Sequence, residues 1–570
     1  MELSELVAGS NENRRTYYPI VSYSGKYIAT LTKVGGGSGG DGDGQGHKIV
    51  IRSSRSLVVK KQILLPVSFM PKFIKWYVPA NGQLILDQEN EVHRIFAADD
   101  QGQIRVWDMA DEQTSLNAID DLKSVVVIRQ VSWGANVPVK SIEWGRSPDE
   151  IVVFSEYHVA VAIWSLINRD SVEIISPKFT TFNGFSFQPK TRHFSILSRP
   201  ISEDILTIYG GSHSSLTILS QIWLSNFYDV KGFKWSLDGK WIAVYDNVTN
   251  YQVGIFSALG ELFRMFSIND IILGVCNIAW SSQGLLAIAS YDGIVRCLAP
   301  LTFTPTLILN HTATVDIDVV YVEQPISGPN YTKYERVRSL PVSPPKIKTT
   351  PVDAPPKTGV GILEFNHNGT FLATRYDATP TTLWIWSLKT EPVPVAVLVH
   401  VRRVRMVEWH PLNPNLLLIT TADSKTSDDS YVNYDMAEVG DANDCCVRVW
   451  NIGWRAPVLF NVPKVGNVFS SVTSSNWINT PISEYNIENN QGDSDESNTS
   501  DLSIRKRILI CNKAAFTIGY LDDENEVEDD ETKVQRLIDG VQQQEWAEVT
   551  TQSYVDDTFA LLRQKPGVVS

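Results

Sequence analysis

Short apolar runs recur along the chain, each closing on or near an aromatic residue and each followed by a polar turn. The pattern is clearest from Gly359 to Leu388, GVGILEFNHNGTFLATRYDATPTTLWIWSL. Val360–Phe365 reads as a buried strand, and Asn366–Gly369 as a tight turn whose Asn and Gly residues accept positive φ. Phe371–Tyr376 reads as a second strand and Asp377–Pro380 as a polar loop. Leu383–Leu388 and Pro394–Val399 read as a third and a fourth strand. Four short antiparallel strands in about forty residues make one blade of a β-propeller.

The same succession can be followed nine times. It starts at Tyr23 (YSGKYIATL), and again at FIKW ending on Trp76 with Ile95–Met109, and at IEW ending on Trp144 with VAIWSL. The fourth unit, around Phe187, is the weakest. The fifth is Gly232–Asn247, the sixth Ile278–Leu298 and the seventh the stretch above. The eighth runs from Trp409 to Ile452, and the ninth is marked by Trp477 and by ILICNKAAFTIGYL from Ile508. Trp107-Asp108 and the DGxVR form at Asp292–Arg296 are WD-repeat signatures. The expected fold is an all-β, WD40-type β-propeller over residues 1–521. It is either one large ring or a seven-bladed ring with extra blades, and a single continuous assembly is the preferred form. A tail over 522–570 follows, with Val534, Leu537, Ile538 and Val541 at helical spacing.

Charge sharpens this division. The formal net charge is −14. Thr421–Asp444 carries −6, Glu484–Leu502 carries −6 and Asp522–Ser570 carries −9, which leaves the remainder at +7. The acid therefore sits in loops and tail, as in solvated segments. A charge of +7 spread so thinly, without a Lys/Arg stripe interleaved with aromatics, is no nucleic-acid footprint. No apolar run reaches the length of a membrane span. The five Cys contain no C-x-x-C pair and read as reduced core thiols of a cytosolic or nuclear protein.

Four segments interrupt the repeats. Gly35–Gly46 falls between the second and third strands of the first unit. Its Asp41, Asp43 and Gln45 mimic the start of a calcium loop, but the twelfth position is Arg52 rather than a carboxylate, so a flexible loop is expected. Residues 315–358 carry Pro344-Pro345 and Pro355-Pro356. They cannot pair as a central strand and read as a partly ordered insertion between two blades. Ser343-Pro344-Pro345-Lys346 has the form a proline-directed kinase favours, so Ser343 is a candidate phosphorylation site. The acidic loop 421–444 and the polar loop 484–502 complete the set.

Nothing in the residues points to catalysis. The nine His are dispersed, with no H-x-x-H, and neither G-x-S-x-G nor a Walker lysine loop is present. No catalytic, cofactor or metal site is expected. Catalytic groups brought together at a channel from distant blades are not visible to spacing alone.

Three stretches resemble the WD-repeat-eight family, the centrosomal and spindle-pole WD-repeat proteins. They are Gly359–Trp386, Ser155–Leu166, and the run from Ile242 to Arg296. The first is the most specific, with K-x-G-x-G at Lys357, Gly359 and Gly361 and A-T-R-Y-D-x-x-P at Ala373–Pro380. The Gly-rich loop, the acidic loop and the long tail depart from the family and suggest a fungal-like member. The resemblance implies a non-enzymatic adaptor in the cytoplasm and cytoskeleton. Such an adaptor anchors microtubule minus ends at the spindle pole body or centrosome. The implied partners are a coiled-coil protein of the synovial-sarcoma-X-interacting type and a minus-end-directed kinesin of the fourteen class. A different reading is a WD-repeat scaffold or substrate receptor in ubiquitin-ligase or RNA-processing machinery.

In a blade, the loop between the second and third strands shares a face with the loop leading to the next blade. Acids stand in five of the former: Asp99 and Asp100, Glu156, Asp246, Asp292 and Asp377. An Asp there either fixes the turn by accepting local hydrogen bonds or faces a partner. Arg375 and Pro380 are less easily explained as turn-makers. The candidate partner-binding set is therefore Arg375, Asp377, Pro380, Asp292, Glu156 and Asp246. The Arg375 loop is expected to be exposed, so that reversing its charge affects a partner and not stability.

Overall fold

The computed structural model describes residues 2–3, 7–8 and 16–521. Not described within the last range are 35–45, 80–91, 100–101, 110–125, 129–136, 212–215, 269–272, 318, 326–331, 348–357, 389–392, 423–445, 455, 461–473, 480–505 and 512–514. The Gly-rich loop, Asp100, most of the acidic loop, the polar loop and the tail with its expected helix lie outside the described residues.

Nine sheets follow one another along the chain, antiparallel within each blade. In the first eight blades four consecutive strands pair in order, from an inner first strand to an outer fourth. Second strands are apolar on both faces because each is sandwiched between neighbouring blades. Glu150–Ser155 and Leu286–Ser290 are buried throughout. Fourth strands face solvent, as Thr217–Trp223 and Leu262–Ser267 do, and so carry little apolar pattern.

Each blade packs on the next through its own apolar cluster, for example Phe96, Val106, Ile142 and Trp144 between blades two and three. The Trp that closes the inner strand also staples the ring. Its indole Nε1 donates to a backbone carbonyl of the preceding inner strand: Trp76 to Ile20, Trp144 to Lys75, Trp280 to Lys234, Trp409 to Glu364 and Trp477 to Glu408, all at 3.0–3.2 Å. Blade four has Phe187 and blade seven Phe365 at this position, and neither has a donor. Trp235 donates instead to Ser195 Oγ, at 3.1 Å. Each bond contributes about 1 kcal/mol beyond the burial of the ring.

Blade nine closes the circle. Its strands Ser474–Ile478, Lys506–Cys511 and Ala515–Leu521 are completed from the other end of the chain. Glu2 and Leu3 pair with Tyr520 and Gly519, and Val7 and Ala8 with Phe516 and Ala515. Ile478, Leu509, Phe516 and Ile518 pack against Ile28 of blade one. Asn479 Nδ2 donates to the Tyr23 carbonyl at 2.9 Å. The nine blades thus make a single ring, not a seven-bladed ring with extras.

The Pro-rich insertion is ordered in part and adds two strands, Val320–Pro325 and Thr332–Arg336, to the outer edge of blade seven. The first pairs in parallel with Val393–Val399, Val320 opposite Val397. Its Glu323, fully buried, pairs with Arg448 of blade eight, and its Tyr334 hydroxyl lies 2.5 Å from His400 Nδ1. Glu323 also accepts the Val401 amide at 2.9 Å. Burial pulls His400 down to about 3, so it is neutral in this cluster.

Candidate functional site

Loops between second and third strands and loops between blades share one face. Bulges at the start of five inner strands insert one extra residue on this face: Lys140, Lys231, Cys276, Gly361 and Arg405. Blade seven carries Gly there because a Cβ on Gly361 would lie 2.6 Å from Asp377 Oδ1 and 2.9 Å from Arg375 Nη2. Gly359 is needed for a similar reason, with Cys276 Sγ 2.9 Å from the site of a Cβ. The two glycines of the K-x-G-x-G motif are therefore a packing requirement, and its Lys357 lies outside the described residues.

The Arg375 loop is not exposed, contrary to expectation. Arg375 lies on the second strand of blade seven with its side chain 9% exposed, and pairs with Asp377 at 2.5 Å. Its Nη1 donates to the Val404 carbonyl of blade eight. Pro380 is buried, and its carbonyl accepts the Val404 amide at 2.9 Å. Arg375 and Pro380 thus join two blades. The local spacing could not reveal this, because Val404 is a residue of the next repeat.

Asp246, Asp292 and Asp377 lie in successive blades five, six and seven on this face. Asp246 is fully buried and accepts the Tyr228, Asp229 and Asn247 amides at 2.8–3.1 Å. Asp292 accepts the Ile294 amide at 2.9 Å and pairs with Arg296 at 2.8 Å. Asp99 likewise accepts the Gln103 amide at 2.7 Å. These acids fix their turns. Glu156, in blade three, is the open one, with Lys140 Nζ 3.8 Å away. Ser343 is exposed beside a buried Pro344, in a stretch bridged to Val315 through Val342.

Asp246 holds the backbone of Tyr228, one of several large apolar side chains exposed on this face. Tyr157 (77% exposed), Phe182 (69%), Ile201 (92%) and Tyr228 (83%) stand on loops of this face from blade three to the start of blade five. Tyr157 and His158 both take the left-handed conformation, at φ 60 and 55, which strains the loop that carries them. Beneath Ile201 and Tyr228 runs an ion network. Lys178 contacts Asp204 at 2.7 Å and Asp229 at 2.8 Å, and Arg199 contacts Asp204 at 2.7 Å and Asp229 at 2.6 Å. The two cations hold Asp229 below the usual carboxylate range against its own desolvation. Aromatic anchors on strained, braced loops left no signal at repeat spacing.

At the other mouth of the channel, Glu364 and Glu408 line a cleft of about 470 Å³ with Phe365, His367, Met406 and Asn476. Burial pushes Glu408 up to about 7, although it accepts the Trp477 amide and the Asn476 amide group. Desolvation within the cleft also raises Glu364, although its side chain is open to the channel, and Lys234 offsets part of that shift. These carboxylates precede the aromatics that close the inner strands, Phe365 and Trp409, so the strand alternation that buries the ring turns them to the channel. Among the described residues no group of three His, Cys, Asp or Glu is placed to hold a metal ion.

No protein-family model matches the chain. An uncharacterized WD repeat-containing protein of Schizosaccharomyces pombe is 25% identical over 536 residues, covering 92% of this chain and 94% of that protein. The WD repeat-containing protein WRAP73 of Mus musculus is 30% identical over 300 residues, covering 49% of this chain and 64% of that protein. Solved structures of similar fold include the C-terminal WD40 domain of Sif2, with a TM-score of 0.39 and 9% identity over 73% of this chain and 95% of that one. A eukaryotic initiation factor gives a TM-score of 0.46 and 11% identity over 78% and 86%. This chain is an all-β, WD40-type propeller of nine blades, similar to WD-repeat proteins.

Proposed function

We propose that the protein is a non-enzymatic adaptor that anchors microtubule minus ends at the spindle pole body or centrosome, by holding a coiled-coil partner and a minus-end-directed kinesin. The observation that carries a binding role is the row of Tyr157, Phe182, Ile201 and Tyr228 exposed on loops of one face, the last two above an ion network. Exposed aromatic anchors on a rigid frame are what protein interfaces use as hot spots, since little entropy is lost on binding. The spindle-pole location is supported by the family resemblance of Gly359–Trp386 and by the similarity to WRAP73 over half the chain. Of the residues singled out in the sequence, Glu156 is the best placed to touch the partner, beside Tyr157.

The test is a tagged full-length protein in mitotic cells. Tyr157→Ala with Tyr228→Ala should leave the melting temperature within about 2 °C, as for exposed substitutions. It should also abolish co-purification of the coiled-coil protein and loss of signal at the poles should follow. Co-purification of ubiquitin-ligase or RNA-processing subunits in place of a spindle-pole protein would overturn the reading.

A further inference from the structure

The residue before the closing aromatic of an inner strand lines the channel. Where that residue is a lysine, a neighbouring blade supplies its partner. Lys75 of blade two pairs with Glu143 of blade three at 2.5 Å, and Lys234 of blade five donates to Asn277 Oδ1 of blade six at 3.1 Å. Blades seven and eight break the pattern, because they set Glu364 and Glu408 side by side. Among the described residues no hydrogen bond or ion pair reaches the Glu364 carboxylate. Glu408 Oε2 accepts the Trp477 amide and Asn476 Nδ2, both at 3.3 Å, while its Oε1 accepts from no described group.

Both carboxylates open into the cleft of about 470 Å³, a volume within the range of small-ligand sites, about 300–1,000 Å³. The cleft is not acidic alone. Phe365, Met406, Trp409 and Pro411 give it an apolar side, of which Phe365 and Met406 are only half-buried. His410 Nδ1 accepts the Leu412 and Asn413 amides at 3.1 and 2.9 Å, which keeps that ring neutral. The cleft therefore sets two carboxylates without a cation against a partly open apolar wall.

We propose that this cleft receives an arginine side chain of a partner protein. A guanidinium matches both kinds of wall. Its fork of donors takes the carboxylates, its flat face lies on an aromatic ring and its aliphatic stem covers the apolar side. A lysine ammonium is a strongly hydrated point charge without that flat face. A metal ion fits less well, since among the described residues no group of three His, Cys, Asp or Glu is placed to hold one. A bound cation also offsets the desolvation that raises both carboxylates. The cleft lies at the opposite mouth from Tyr157 and Tyr228, so it is a second docking surface and does not rest on the spindle-pole location.

The purified full-length protein is titrated against a fluorescent Gly-Ser peptide with Arg-Leu-Arg at its centre, with anisotropy as the readout. Binding is expected, and Glu364→Gln with Glu408→Gln should weaken it by about tenfold or more. Glu261→Gln, which removes an exposed acid on the outer hairpin of blade five, should not. Glu408 ionises near pH 7, so affinity should rise from about pH 6 to about pH 8. The other titratable groups facing it are Glu364, with Lys234 behind, and His367 and His410. His367→Gln should keep the rise, and Glu408→Gln should flatten it. No binding by the wild type, equal affinity of the double variant, or equal binding of the peptide with Lys in place of Arg overturns the proposal. So does binding that emerges only with Arg505→Ala, which would assign the cleft to the chain's own Arg505, a residue outside the described ones.

Discussion

Arg375→Glu should destabilise the ring itself. The wild-type guanidinium is 9% exposed, pairs with Asp377 at 2.5 Å and donates to the Val404 carbonyl. Removing one partner of a buried ion pair costs about 3–5 kcal/mol, because the other charge is left desolvated. Asp377 is 26% exposed, so water reaches it and the lower end of that range applies. The new carboxylate adds repulsion from Asp377 and leaves the Val404 carbonyl without its donor, about 1–3 kcal/mol more. A loss of about 4 kcal/mol is a large part of an ordinary domain's stability. Arg375→Met, which keeps the aliphatic stem and adds no charge, should cost less. Urea unfolding followed by Trp fluorescence reads both, since Trp384 and Trp386 stack 5.3 Å apart in the same blade. A normal melting curve for Arg375→Glu would refute the interblade role of this residue and restore it as a surface contact.

Arg448→Met should cost about 3–5 kcal/mol, because Glu323 is left buried and unpaired. Adding Glu323→Leu should recover most of the loss in the same urea assay, and simple additivity would contradict a coupled pair. For Glu408, a folded pKa of about 7, above the ordinary 4.5, means that the folded state binds the proton more tightly than the unfolded chain. Stability is therefore lost as pH rises between those values, and the advantage of Glu408→Gln should grow from about pH 5 to about pH 8. A flat difference in melting temperature across that range would contradict a buried carboxyl. Cutting after Leu521 keeps every strand of blade nine and should leave the ring folded, whereas deleting residues 1–8 removes the pairing to Ala515–Leu521 and should lower the melting temperature. Equal melting of the two truncations would rule out closure by the N-terminal strand.

The site was less legible than the fold. The five acidic turns could be found because each lies at a fixed offset from its own strands, and Asp99, Asp246 and Asp292 bond within or just beside their turns. Arg375 and Pro380 were placed on an exposed loop because their contacts belong to the next blade, which no local pattern reveals. Tyr157, Phe182, Ile201 and Tyr228 follow no repeat, since loop residues are free of the packing that keeps strands in phase.

The sequence by itself determined the repeat. A strand sandwiched between two sheets must be apolar on both faces, so nine inner and central strands left nine phased runs closing on aromatics. It also located the interruptions, because Pro, Gly and acid cannot continue a central strand. Only the tertiary structure decided that the nine units form a single ring. Closure depends on Glu2–Leu3 and Val7–Ala8 meeting Ala515–Leu521, a pairing between the two ends of the chain that no periodicity encodes. The same holds for Glu323 and Arg448, which are 125 residues apart in the chain and buried together. Burial of a charge is set by what packs over it, and here that is a neighbouring blade.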